Sequence, residues 1–231
     1  MFKQKFTQKN VILFVFVAMF SNISVYATSK SETSTIATEK YLRELIAGNQ
    51  RFKSGKIRQG GQTAKDIERL AKGQSPKSIV LSCSDSRVPP EAIFDQKLGE
   101  MFTIRTAGQT LSAQAIASIE YAIVNLGTKL IVVLGHTNCG AVKAAVETID
   151  GKNAGSENLD QLVKDIHPRI RDKFTKNSVS KNLKTESKLN ARGIAEDLIK
   201  RSKIIEKAVQ SGEAQIKVGL YNLETGIVEF E

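Results

Sequence analysis

The sequence predicts an α/β fold built on a mainly parallel β-sheet, and two features carry that expectation. Short apolar runs bounded by polar turns, Ile79 to Ser82, Met101 to Arg105, Lys129 to Leu134 and Gln215 to Tyr221, alternate with longer stretches whose apolar residues recur at helical spacing. Strands that alternate with helices pair in parallel and carry helices on their faces. A last run, Ile227 to Phe230, follows the turn Glu224-Thr225-Gly226, so four parallel strands plus an antiparallel C-terminal strand are expected.

Residues 1–27 stand apart from this pattern and read as a secretory signal peptide. Lys3, Lys5 and Lys9 make a positive start, Val11 to Phe20 is a run of ten apolar residues, and Val25-Tyr26-Ala27 puts small residues at the two positions a signal peptidase reads. Ten apolar residues fall short of the roughly 20 that span a bilayer, so no stable membrane anchor is expected after cleavage. No Cys lies near the cleavage site, which argues against a lipid-anchored lipoprotein. The expected mature protein, residues 28–231, is one domain with a substantial core, exported to the periplasm.

Thr28 to Thr35 is polar and Ser/Thr-rich, a short disordered leader. From Ile36 to Phe52, Tyr41, Leu42, Leu45, Ile46 and Phe52 recur at helical spacing; Lys53 to Thr63 is a Gly-bearing loop, and Ala64 to Lys72 a short helix that Gly73 ends. Gln74-Ser75-Pro76-Lys77 leads into the first strand. After the second strand, Ser112 to Leu126 is a helix whose Ala113, Ala117, Ile119, Ile123 and Leu126 face the sheet. Ala141 to Thr148 is a helix behind the third strand. Two long amphipathic segments, about Leu159 to Phe174 and Ser187 to Gln210, precede the fourth.

The formal net charge of +10 raises nucleic acid as a partner. Between Lys164 and Lys203, however, the basic residues are interleaved with Asp165, Glu186, Glu196 and Asp197, and no aromatic-rich platform accompanies them. That is a solvated helix surface, and nucleic acid is not an expected partner.

The chemistry gathers where two strands end. After Ile79 to Ser82 the chain presents Cys83, Asp85 and Arg87 at every second position, and after Leu130 to Leu134 it presents His136 and Cys139 three residues apart. In open α/β sheets the carboxyl edge is where sites are built. Two thiols and one imidazole are three ligands with an open fourth position, the pattern of a catalytic zinc, since a structural zinc is closed by four. A helix beginning just after Cys139 favours thiolate over thiol. These are the only two cysteines, and in an exported protein a disulfide is the competing reading.

Cys83-Ser-Asp-Ser-Arg87-Val-Pro-Pro-Glu91, Arg105-Thr-Ala-Gly108 and Gly135-His-Thr-Asn-Cys-Gly140 resemble the signature blocks of the β-class carbonic anhydrases, in their plant-like branch. Gly48-Asn-Gln-Arg-Phe52 and Tyr221-Asn-Leu-Glu-Thr-Gly226 extend the likeness over nearly the whole chain beyond its N-terminal segment. The resemblance implies one zinc per subunit on Cys83, His136 and Cys139. It implies reversible hydration of carbon dioxide to bicarbonate and a proton through zinc-bound hydroxide. Arg87 then holds Asp85, which accepts a hydrogen bond from the zinc-bound water or hydroxide. Two thiolates leave the zinc formally neutral, so its bound water is less acidic than at a three-histidine zinc.

Gln74, nine residues before Cys83, stands where the plant-like branch has a substrate-contacting Gln, and the Gly108 region shapes the pocket. Thr106 replaces the Asn common in the family. Some members close the zinc with the Asp and carry a Trp in an inhibitory bicarbonate site; here that position is Val80 and only the associated Arg105 is present, so an open zinc is expected. A homodimer or dimer of dimers is implied, its N-terminal helix an arm that packs on the partner subunit. His167, outside every block, is expected to be solvated or to cap a helix rather than to shuttle protons. Two alternatives stand beside this reading: a carbon disulfide or carbonyl sulfide hydrolase on the same scaffold, and a non-catalytic exported zinc or thiol protein.

Overall fold

Five strands, β1 (Ser78–Cys83), β2 (Met101–Thr106), β3 (Leu130–His136), β4 (Gln215–Tyr221) and β5 (Val228–Phe230), form one sheet in the order β2-β1-β3-β4-β5. They are seen in a computed structural model that describes residues 34–171, 179–180 and 182–231. The first four run parallel and β5 pairs antiparallel with β4, as expected from the sequence. β1 and β3 are buried along their whole length, which is why they read as nearly unbroken apolar runs. β2, half-buried, is an edge strand. Because β1 is flanked by β2 on one side and β3 on the other, the strand order reverses between β1 and β3. The crevice at their carboxyl ends is the switch point of the sheet.

Helices cover both faces. On one lie α1 (residues 34–53), α3 (Pro90–Ile93) and α5 (Gly140–Glu147), whose Leu42, Leu45, Ile93, Phe94 and Val142 pack with Val80, Val132 and Leu134. On the other, α4 (Ala113–Leu126), α7 (Lys184–Arg201) and α8 (Lys203–Gln210) bring Ile119, Ile194, Leu198 and Ile205 onto Ile79, Leu81, Ile131 and Val133. Full burial of each such side chain is worth about 1.5–3 kcal/mol. α6 (Glu157–Ile170) packs on α5 through Val163, Ile166 and Ile170. α2 (Ala64–Leu70) buries nothing and rests on a Thr63–Asp66 capping box.

Two expectations change. The segment Ser187 to Gln210 is two helices: Ser202 leaves helical geometry at φ −127°, ψ 114°, ends α7 and caps α8 by accepting from the Ile205 N–H. α1, expected as an arm that packs on a partner subunit, also seats on its own chain. Gly48 lets it approach the Phe94 carbonyl, which a Cβ there would strike, and Asn49 donates to the carbonyls of Ile93 (3.2 Å) and Gly226 (2.9 Å) while accepting from the Val228 N–H. His167 is buried, not solvated. Its Nε2 lies 2.9 Å from the Ala145 carbonyl and 3.2 Å from Thr148 Oγ1, so it caps the C-terminus of α5, the other role expected of it. The signal peptide 1–27, the leader up to residue 33 and Phe174 lie outside the described residues. No helix among the described residues is long and apolar enough to cross a membrane.

Asp95 joins α1 to the segment behind α3. It is 5% exposed, accepts from Arg51 Nε at 2.6 Å and takes the Arg58 backbone N–H on both oxygens. Burial alone would raise its carboxyl, but the Arg51 guanidinium and the Arg58 contacts outweigh that and hold it below the usual range. A carboxyl depressed by folding contributes stability above its unfolded value, near pH 4, and the contribution is lost as pH falls through the folded value. Asp95→Asn is therefore expected to cost roughly 2 kcal/mol at neutral pH and to flatten the fall in melting temperature between about pH 5 and pH 2. Thermal melts across that range check it; an unchanged slope refutes it.

Candidate metal centre

The two chemistry-bearing strand ends meet because β1 and β3 are neighbours in register, Ser82 opposite Leu134. Cys83 is the last residue of β1 and His136 the last of β3. A tight turn with Asn138 in the left-handed region, φ 54°, brings Cys139 round as the N-cap of α5. The Cys83 and Cys139 sulfurs are 4.0 Å apart and neither is in a disulfide. A disulfide needs about 2.05 Å, whereas a tetrahedral zinc with sulfurs at about 2.3 Å separates them by about 3.8 Å. One ligand atom from each of Cys83, His136 and Cys139 lies within 4.8 Å of the others, and all three residues are buried.

The imidazole is set for ligation. His136 Nδ1 lies 2.9 Å from the Thr137 carbonyl, so it carries the proton and leaves the Nε2 lone pair facing the sulfurs. Nε2 is buried with no hydrogen-bond partner among the described residues. Such an atom in such a place is costly unless something outside the chain accepts it. The donor set of two soft sulfurs and one imidazole nitrogen suits zinc.

The thiols themselves share charge. The Cys83 thiol is pushed down by the hydrogen bond from Cys139, then by His136 and the backbone N–H groups of Asp85 and Gly108. Cys139 is pushed up, first by sharing its proton with Cys83 and then by burial, while the Val142 and Ala141 N–H groups of the α5 N-terminus pull it down. A metal removes the need to share, since both bind as thiolates.

Asp85 stands beside this cluster, its Oδ2 3.9 Å from His136 Nε2. Arg87 grips it with a fork, Nε to Oδ1 at 2.9 Å and Nη2 to Oδ2 at 2.7 Å, and adds its backbone N–H to Oδ1. That fork is the main reason the Asp85 carboxyl is held down, to about 2. The expected Asp85–Arg87 pair is thus present. Gly108 is at the site as well, its N–H 3.4 Å from the Cys83 sulfur. Gln74 is not: it is exposed in the loop before β1, at the amino edge of the sheet, and at about 3.3 Å per residue a strand's length from Cys83.

Sequence reasoning did not find the supporting role of two residues. Arg105 donates to the carbonyls of Cys83 (3.0 Å) and Asp85 (2.7 Å) and so clamps the turn that carries both. The pairing of Cys83 with Thr106 places it there. Asn190 of α7, fully buried, donates to the Gly108 carbonyl at 3.0 Å; a polar residue in a polar helix gave no signal. Thr106 satisfies its own turn, donating to the Thr110 carbonyl at 2.8 Å.

A family model described as carbonic anhydrase matches residues 78–228. Carbonic anhydrase 2 of Mycobacterium tuberculosis is 36% identical over 198 residues, which cover 84% of this chain and 91% of that one. The carbonic anhydrase of Mycolicibacterium smegmatis is 35% identical over 197 residues, 85% and 93% of the two chains. Among solved structures, the β-carbonic anhydrase CafA of Aspergillus fumigatus superposes with a TM-score of 0.65 at 26% identity, covering 72% of this chain and 80% of its own. One of two tetrameric β-carbonic anhydrases from Sordaria macrospora shares the fold, with a TM-score of 0.63 at 22% identity over 73% and 87% of the chains.

Proposed function

This chain belongs to the β-class carbonic anhydrase family, and from that premise we propose that it hydrates carbon dioxide reversibly to bicarbonate and a proton at a zinc held by Cys83, His136 and Cys139. The convergence of two sulfurs and an imidazole nitrogen unpartnered among the described residues, beside an Arg-held carboxylate, supports this most directly. Zinc bound there would act as a Lewis acid and supply a hydroxide nucleophile from water near neutral pH. Asp85, ionised and able only to accept, would orient the reacting water or hydroxide by accepting its hydrogen on Oδ2. Arg87 fixes Asp85 in place through its fork on both oxygens, which would hold the carboxylate beside the metal rather than on it. Gly108 backs the pocket. No observation favours the carbon disulfide or carbonyl sulfide hydrolase, or the non-catalytic thiol protein.

A homodimer or dimer of dimers is the assembly this reading implies. Edge strand β2 and α4 expose an apolar face, with Phe102 beside Tyr121 at a tilt (ring centroids 6.4 Å apart, planes at 33°) and Val124 62% exposed. A second copy would cover it, and Gln74 would then serve the neighbouring site, since it cannot reach its own. The basic apolar start of the chain supports export to the periplasm after cleavage behind Ala27.

Three outcomes are expected. The purified protein carries one zinc per chain, and Asp85→Asn keeps the zinc while stopped-flow carbon dioxide hydration falls roughly 10²-fold or more; full activity in that variant, or no zinc in the wild type, defeats the reading. Val124→Glu shifts the light-scattering mass toward the monomer, and an unchanged mass removes this face as an interface. Terminal sequencing of the exported protein begins at Thr28; a retained Met1 overturns the signal peptide.

A further inference from the structure

Gly108 faces the metal centre with its N–H and the interior with its carbonyl. The N–H points at the Cys83 sulfur, and the carbonyl accepts from Asn190 Nδ2 at 3.0 Å. Between those two bonds the residue sits in the left-handed region, φ 60° and ψ 22°, open to glycine at little cost. A Cβ there would meet Ala141 Cβ at 2.9 Å and Ile166 Cδ1 at 3.1 Å. The next residue, Gln109, is also left-handed at φ 48° and buried. Two consecutive residues in this region do not hold their dihedrals unaided. The direct restraint on the carbonyl side is Asn190.

Asn190 is itself fixed. Its Oδ1 accepts from Arg169 Nη1 at 3.4 Å, while Arg169 Nη1 also donates to the Asp165 carbonyl at 2.6 Å and the guanidinium pairs with Asp197 at 2.9–3.0 Å. Arg169 has room to lie across α7 because residue 193 is glycine; a Cβ there would meet its Cγ at 2.6 Å. A chain of contacts therefore runs from the surface carboxylate of Asp197 through Arg169, Asn190 and Gly108 to a metal-ligating sulfur.

We propose that Asn190 is a positioning residue for the zinc site: by holding the Gly108 carbonyl it keeps the Gly108 N–H on the Cys83 thiolate and so sets that ligand's electron donation to the metal. The inference rests on the zinc reading above. An N–H bonded to a ligating thiolate withdraws charge from it, and groups that orient ligands from outside commonly change metal affinity or activity by about 10- to 100-fold. Asn has the shape and the paired donor and acceptor for this place. Asp has the shape but no donor for a carbonyl.

Three measurements test it. In wild-type protein loaded with a spin-half cadmium isotope, the Gly108 amide proton should show scalar coupling to the metal through the sulfur; its absence overturns the proposal. With cobalt in place of zinc, Asn190→Asp should move the thiolate-to-cobalt charge-transfer band to lower energy and weaken zinc binding by about tenfold. Should that variant fail to fold, Asn190→Leu, near in volume and uncharged, is read the same way. A folded variant with a lowered melting temperature but an unmoved band and zinc affinity within twofold of wild type would make Asn190 merely structural. Wild-type protein that binds cobalt with no thiolate band at all would instead defeat the zinc reading itself.

Discussion

The parallel pairing of β1 with β3 is the constraint on which everything else rests. Cys83 and His136 are far apart in sequence, and only the register that sets Ser82 against Leu134 brings their strand ends side by side. The pairing is held by burial on both faces: Val80, Val132 and Leu134 toward α1 and α5, Ile79, Leu81, Ile131 and Val133 toward α4 and α7. Since a strand slipped by one residue would turn its side chains to the opposite face, the apolar core and the metal centre demand the same register. The reversal of strand order at this place opens the crevice in which the ligands converge.

Around that pairing, the site's turns are braced from elements with no chemistry of their own. Thr137 donates its N–H to the Tyr221 carbonyl and accepts the Leu223 N–H on its hydroxyl, so the β4 end supports the His136 turn. Asn49 ties α1 to Gly226 and Val228 just beyond. The N-terminal and C-terminal blocks of the sequence thus meet each other, and together they stiffen the back of the site. Arg105 does the same for the Cys83–Asp85 turn from β2. A metal site with three protein ligands leaves geometry to its surroundings, and these contacts supply it.

Much of this was legible beforehand. The strands were placed to within two residues because buried parallel strands write themselves as apolar runs, and the helix α4 is legible from its Ser112 cap onward. The break at Ser202 was missed because amphipathic spacing continues across it. The arm role of α1 comes from the family resemblance, because periodicity reports an apolar stripe without saying which molecule covers the exposed Ile36 and Ile46 beside the buried Leu42 and Leu45. His167 lies outside any motif, and its capping of α5 depends on how two helices cross. Asn190 was invisible for a different reason. A buried amide on a Lys- and Glu-rich helix looks like any solvated residue until its neighbours are known.

By itself, the sequence determined which atoms are available: two sulfurs, an imidazole, a carboxylate and a guanidinium at the ends of two apolar runs, with spacing along each run that leaves little freedom. Local chemistry is enough for that, because turn and strand geometry over a few residues follows from the residues themselves. The three-dimensional fold decided that the two strands are neighbours, that the sulfurs stand 4.0 Å apart rather than bonded, and that His136 Nε2 is left without a partner among the described residues. It also decided that Gln74 is at the far edge of the sheet, and which distant amide steadies Gly108. Those are matters of long-range packing, where the free energy belongs to contacts between segments and no single segment carries it.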